Sequence, residues 1–205
     1  MLSGFTYQSE CCGNKLETFE WDNFWIEQAT DKEKDRIFYI GDSISCGIRR
    51  CATELSKGKL LFDNFGTSKA LDNPFFQASV ELYSRETASA KAILFNNGLH
   101  GWHLNDGEYS EYYQRMLDFL IEKFPQIPIN LVLTTAVEDR TQCNRVIARN
   151  EAVKSIAAKY YLPIIDLFEP SVRFQKLQLP DGVHFSEEGY EILAGVIVDF
   201  LKGKF

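Results

Sequence analysis

Five short apolar runs, rich in β-branched and aromatic residues, alternate along the chain with longer segments whose apolar positions recur at helical spacing. Short runs bounded by turn residues read as strands, and their alternation with helical segments signals βαβ units and a parallel sheet. The pattern predicts strands over Arg36–Gly41, Lys59–Phe65, Ala92–Asn96, Asn130–Thr135 and Leu162–Asp166. Between them, Ser45–Ser56, Pro74–Ala88, Tyr109–Phe124 and Asn144–Tyr160 read as crossover helices. The third carries Tyr112, Met116, Phe119, Leu120 and Phe124 on one face. A last helix is expected over Glu187–Leu201. Ser186 can cap its first turn, Glu187 and Glu188 suit the positive end of its dipole, and Tyr190, Leu193, Ile197 and Phe200 form its apolar stripe.

The first 35 residues fit no βα unit. With Phe19, Trp21, Phe24 and Trp25 they form an aromatic patch, read as an N-terminal extension packed on a domain spanning residues 36–205. A role beside the substrate is the alternative. The 205-residue length suits one α/β domain. Hydrophobic residues at 45% and charged residues at 25% match an ordinary globular chain rather than a disordered one.

A net charge of −7 argues against nucleic acid or an anionic membrane as partner, because phosphate binding needs a concentrated basic surface. Only Arg49–Arg50 approaches one. The N-terminus shows no charged segment followed by an apolar run, and no apolar stretch is long enough for a membrane span. Five cysteines, Cys11, Cys12, Cys46, Cys51 and Cys143, have no disulfide framework or zinc spacing. These features predict a cytoplasmic protein with reduced thiols and no metal or other cofactor.

Chemistry concentrates in two places. In Ile40-Gly41-Asp42-Ser43-Ile44 an apolar strand ends and a helix begins, which puts Ser43 where open α/β sheets bind ligands, beside unpaired helix N–H groups that can hold an oxyanion. The competing reading is that Ser43 is only an N-cap. A serine nucleophile needs a base, and the chain offers three histidines, His100, His103 and His184. His184 lies in Pro180-Asp181-Gly182-Val183-His184, where Asp181 can fold back onto one ring nitrogen and leave the other for Ser43. Alternatively the turn is structural. The two motifs support each other, since each supplies what the other requires.

On these residues the chain resembles the SGNH hydrolases of the GDSL esterase and lipase superfamily. The resemblance spans about Arg36 to Leu201. It implies a three-layer α/β/α sandwich with a five-stranded parallel, flavodoxin-like sheet, and a catalytic set of Ser43, His184 and Asp181. It also implies oxyanion donors at the Ser43 amide and, from Asp63-Asn64-Phe65-Gly66-Thr67-Ser68, the Gly66 amide. The family's third block, Gly-x-Asn-Asp, is not kept: in Asn96-Asn97-Gly98-Leu99-His100-Gly101-Trp102 the asparagine position holds His100. Either His100 donates in its place, or Asn97 or Asn96 turns its amide inward. Trp102 and His103 follow and either wall the substrate pocket or pack. Asn150 and Asp166 are read as structural.

The sequence therefore predicts hydrolysis of a small-molecule carboxylic ester through an acyl-enzyme, with a small acyl group, acetyl on a carbohydrate being the preferred case. A non-catalytic carbohydrate- or ligand-binding module that kept the fold is the alternative. A phosphate binder using the Gly41–Ser45 turn would leave Asp181 and His184 without a task. Oligomeric state is not encoded in any pattern found.

Overall fold

Alternate residues of each central strand are buried on opposite faces of one sheet. In β4 (Asp35–Gly41), Ile37 and Tyr39 join one core while Phe38 and Ile40 join the other. In β6 (Ala92–Phe95), Ala92 and Leu94 again oppose Ile93 and Phe95. Strands covered on both sides carry no polar alternation, which is why they read as continuous apolar runs. The computed structural model describes residues 8–10, 14–17, 19–84, 87 and 89–204.

The sheet has six strands in the order β3 (Asp22–Trp25), β5 (Leu60–Thr67), β4, β6, β7 (Ile129–Val132), β8 (Ile164–Ile165). Of these, β4, β5, β6, β7 and β8 are the five expected strands, and they are parallel. One face is covered by α1 (Ser43–Leu55) and α6 (Glu187–Leu201). The other is covered by α2 (Phe76–Ser84), α3 (Asp106–Lys123) and most of α4 (Arg140–Tyr160), giving the three-layer α/β/α sandwich.

Local chemistry explains where the helices depart from their expected bounds. Asp42 caps α1 by accepting from the Ile44 amide, so the helix begins at Ser43 rather than Ser45. Asn105 and Glu108 form a reciprocal capping box that starts α3 three residues early. The buried face of α3 is centred on Tyr109, Tyr113, Met116, Leu117 and Leu120, while Tyr112 and Phe119 lie at its margin. Asp139 caps α4, which starts at Arg140, four residues before the expected Asn144. The last helix keeps its expected bounds under a Ser186 cap. A short α5 (Phe168–Arg173) and a 3-10 turn over Gln175–Leu177 fill the stretch before Asp181.

The sixth strand comes from the N-terminal extension. A small hairpin of β1 (Gln8–Glu10) and β2 (Asn14–Leu16) precedes β3 (Asp22–Trp25), which pairs antiparallel with the edge of β5. Residues 22–25 of the extension are thus part of the sheet. Lys69 grips Asp22 at 2.6 Å, Phe24 stacks on Tyr83 at 4.0 Å between centroids, and Arg49 lies 4.2 Å over the Trp25 ring. Behind the strand, buried Arg36 binds Asp63 through two bonds of 2.8 and 2.7 Å, and Asp63 also accepts from the Glu27 amide. A period-2 search misses β3 because three of its four residues are exposed.

Candidate active site

The carboxyl end of β4 delivers Asp42 and Ser43 to the top of the sheet. Asp42 is buried, its side chain and carbonyl both turned into the first turn of α1, where they hold the Ile44 amide, the Cys46 amide and the Ser45 hydroxyl. Burial pushes its carboxyl upward, against the pull of His100 and His184 nearby. Ser43, as the first residue of α1, has no intrahelical acceptor for its amide and projects its hydroxyl at the rim.

The partner loop is fixed by its own backbone. Leu179 N–H donates to the His184 carbonyl, Ser186 N–H to Leu177, and Gly182 N–H to Leu179. Gly182 sits at φ +70°, in the left-handed region that glycine occupies without strain, and its carbonyl accepts from Glu138 N–H at 2.8 Å. Asp181 Oδ1 accepts from the Val183 and His184 amides, both at 2.9 Å. Its Oδ2 lies 2.8 Å from His184 Nδ1, and His184 Nε2 lies 2.8 Å from Ser43 Oγ. Burial opposes ionisation of Asp181, but the two amides and the imidazole outweigh it and hold its carboxyl below the usual value. A carboxylate only accepts, so Nδ1 carries a proton and Nε2 presents a lone pair to the serine O–H. Such a chain can draw a proton from the hydroxyl as its oxygen attacks.

Ser43, Asp181 and His184 open into a cleft of about 280 Å³ lined also by Leu99, His100, Trp102, Val137, Gln142 and Val183. His100 belongs to this cleft. Its Nδ1 lies 3.0 Å from both carboxylate oxygens of Glu17, which also accepts from the Gly101 amide at 3.4 Å. The pair is nearly sealed from water, with side-chain exposures of 11% for His100 and 5% for Glu17. Burial works against a charged ring. The Glu17 hydrogen bond, the Glu17 charge and the further charges of Asp42 and Glu20 more than offset it, and His100 is held above the ordinary histidine value.

The remaining expected residues fall elsewhere. The Asn97 amide donates to the Lys69 carbonyl at 2.9 Å and the Asn96 amide to Val132 and Thr134, and neither residue lines the cleft with Ser43. His103 turns away from the cleft and pairs with Asp72 at 2.7 Å in a nearly buried contact. Trp102 does line the cleft. Gly66 is part of β5, in register with Gly41 on one side and Asn23 on the other. Ser68 N–H donates to Trp21 O. Because bonded pairs alternate along an antiparallel ladder, Asn23–Gly66 is the next such pair, which commits the Gly66 amide to β3 rather than to an oxyanion. A Cβ at Gly66 would sit 2.2 Å from Cys46 Sγ, so close packing accounts for the glycine. Asn150 is structural: its side chain brackets Thr134, accepting from the amide and donating to the carbonyl. Cys11 and Cys12 lie outside the described residues.

Two arginines of α4 mount the loop that carries His100. Arg149, fully buried, donates to the carbonyls of Gly98, His100 and Gly101 at 2.9, 2.7 and 2.7 Å. Its guanidinium lies 4.5 Å from the Trp102 ring and 4.6 Å from that of Tyr109. Arg145 donates to Trp102 and Leu104 carbonyls, both at 2.6 Å. Neither this clamp nor Glu17 announces itself in the sequence. Glu17 is 83 residues from its histidine, and no local pattern spans that distance.

No protein-family model matches the sequence, and neither does any curated protein. Solved structures do match. A lipase/acylhydrolase from Enterococcus faecalis superposes with a TM-score of 0.64 at 19% identity, over 83% of this chain and 96% of that one. A lipolytic protein of the G-D-S-L family from Veillonella parvula gives 0.67 at 17%, over 82% and 98%. An acetyl xylan esterase, AlAXEase, gives 0.61 at 15%, over 81% and 99%. These matches show a shared fold. No helix among the described residues is long and apolar enough to cross a membrane.

Proposed function

We propose that this chain, which has the SGNH hydrolase fold of the GDSL lipases and acylhydrolases, is a carboxylic ester hydrolase acting through an acyl-enzyme. The observation that carries the reading is the continuous chain Asp181–His184–Ser43, two contacts of 2.8 Å opening into one cleft. Ser43 Oγ attacks the ester carbonyl while His184 Nε2 takes its proton, and the same proton then goes to the leaving alcohol. Water repeats the sequence on the acyl-enzyme. Asp181 keeps the His184 ring oriented and stabilises it when charged. The tetrahedral oxyanion is held by the Ser43 amide and His100 Nε2.

The substrate is a small-molecule ester with a short acyl group. The cleft of about 280 Å³ presents Leu99, Trp102, Val137 and Val183 as apolar walls, room for a few carbons rather than a long chain. Gln142 and Asp181 add polar groups to the cleft lining, which suits an acetylated carbohydrate, the substrate type named for the acetyl xylan esterase that shares the fold.

The test is a fluorophosphonate probe followed by kinetics on p-nitrophenyl esters of increasing chain length and on acetylated xylo-oligosaccharides. Wild-type protein is expected to take up one label and Ser43→Ala none, with kcat/KM highest for acetyl to butyryl esters. Absence of a Ser43-dependent adduct rejects the hydrolase and leaves a binding module.

A further inference from the structure

His100 lines the cleft with Ser43, and what its Nε2 can offer an oxyanion depends on the charge of the ring. Glu17 accepts at His100 Nδ1 through both oxygens, so Nδ1 carries a proton whatever the charge of the ring. In the neutral ring that leaves Nε2 as a lone pair, which repels an oxyanion. Only in the imidazolium is Nε2 a donor. A histidine that replaces an amide donor therefore works in one charge state.

The surroundings select that state. From the N-terminal segment, Glu17 touches the ring and Glu20 adds its charge; from the β4–α1 junction comes Asp42. The edge of Trp21 approaches with centroids 6.3 Å apart. The cation facing this region is Arg149 of α4, which binds the His100 carbonyl, and His184 shares the cleft. Carboxylates dominate at the ring, and with the pair nearly buried their effect is poorly screened.

We infer, resting on the esterase reading, that Glu17 is a positioning residue which keeps His100 as an imidazolium, so that the oxyanion site is a full cation governed by the N-terminal segment. Deprotonation of His100 reverses Nε2 from donor to acceptor and switches turnover off at high pH. A carboxamide donor has no such limit, because it does not titrate. The two histidines of the cleft then do opposite work: His184 Nε2 offers a lone pair to the serine proton, and His100 must be charged to receive the oxyanion.

The experiment combines imidazole NMR with pH–rate profiles. The chain has only three histidines, so ring resonances are assigned by His100→Asn. In the wild-type protein His100 is expected to titrate above the free-histidine value, and in Glu17→Gln below its wild-type value, because burial then acts with less opposition. On p-nitrophenyl acetate, kcat/KM should fall at high pH along the same titration, and in Glu17→Gln that limb should move to lower pH with about a tenfold loss at pH 8, because a larger share of the rings is then neutral and without its donor. His100→Asn should lose the high-pH limb. A limb that persists in His100→Asn, or stays in place in Glu17→Gln, overturns the inference. If Glu17→Gln fails to fold, the comparison of wild type with His100→Asn decides alone. Because the NMR titration needs no turnover, a normal His100 shift without Ser43 labelling rejects the esterase reading and not the ion pair.

Discussion

What an imidazole does depends on what holds its other nitrogen, and this chain holds two rings by carboxylates with opposite intended results. Asp181 has a side chain 49% exposed and shares its charge among two backbone amides as well as His184. Glu17 is 5% exposed and gives both oxygens to His100. Water screens the first pair, and low dielectric strengthens the second. Asp181→Asn should cut kcat by roughly 10²- to 10⁴-fold while Ser43 remains slowly labelled, since the ring loses its orienter but the oxyanion site stays. Stability changes run in opposite directions. Asp181 is held low, so its contribution is complete at neutral pH and is lost as pH falls through that lowered value. His100 is held high, so its contribution is complete below the ordinary histidine range and fades as pH rises through the raised value. In urea melts, the stability gap between wild type and His100→Asn should narrow from pH 6 to pH 9.

At the scale of elements, the loop over residues 177–186 shows how a turn residue controls geometry. In Gly182→Ala the new Cβ would stand 2.7 Å from Glu138 Cβ, at a backbone angle that alanine adopts with strain. A loss of about 1–2 kcal/mol is expected in urea unfolding, with kcat lowered more than KM as His184 shifts from Ser43. This loop was legible beforehand, because Asp181 and His184 lie three residues apart and the chemistry is local. So were the five parallel strands, whose apolar runs are long enough to dominate their windows, and Ser43 at the end of β4. The boundaries of α3 and α4 were obscured by caps, Asn105 with Glu108 and Asp139, which lie outside the apolar stripe. Gly66 misled because a glycine at a strand end serves an oxyanion and a close-packed cysteine equally well. Asn97, the alternative donor, gives an amide hydrogen to Lys69, and position along the chain does not say which way a side chain faces.

Across the whole molecule, the contacts that matter most are remote in sequence: Ser43 from His184 by 141 residues, and His100 from Glu17 by 83. Removal of residues 1–19 tests how the distant piece divides its work. The shortened chain keeps β3, the Asp22–Lys69 pair and the Trp25–Arg49 stack, and loses Glu17. A thermal midpoint within a few degrees of the parent is expected by scanning calorimetry, with turnover reduced at least as far as in Glu17→Gln. Arg149→Lys belongs to this scale too, because one guanidinium joins α4 to three carbonyls of the His100 loop. An ammonium cannot reproduce that fork, and a loss of about 2–3 kcal/mol is expected in denaturant unfolding. The clamp has a further consequence. Guanidinium and peptide carbonyl are both indifferent to acid and alkali over any range in which the cleft operates, so the mounting of His100 is deaf to the protons that govern the ring it carries. The scaffold stays still while the charge on it changes, like a fixed electrode beneath a titrating film.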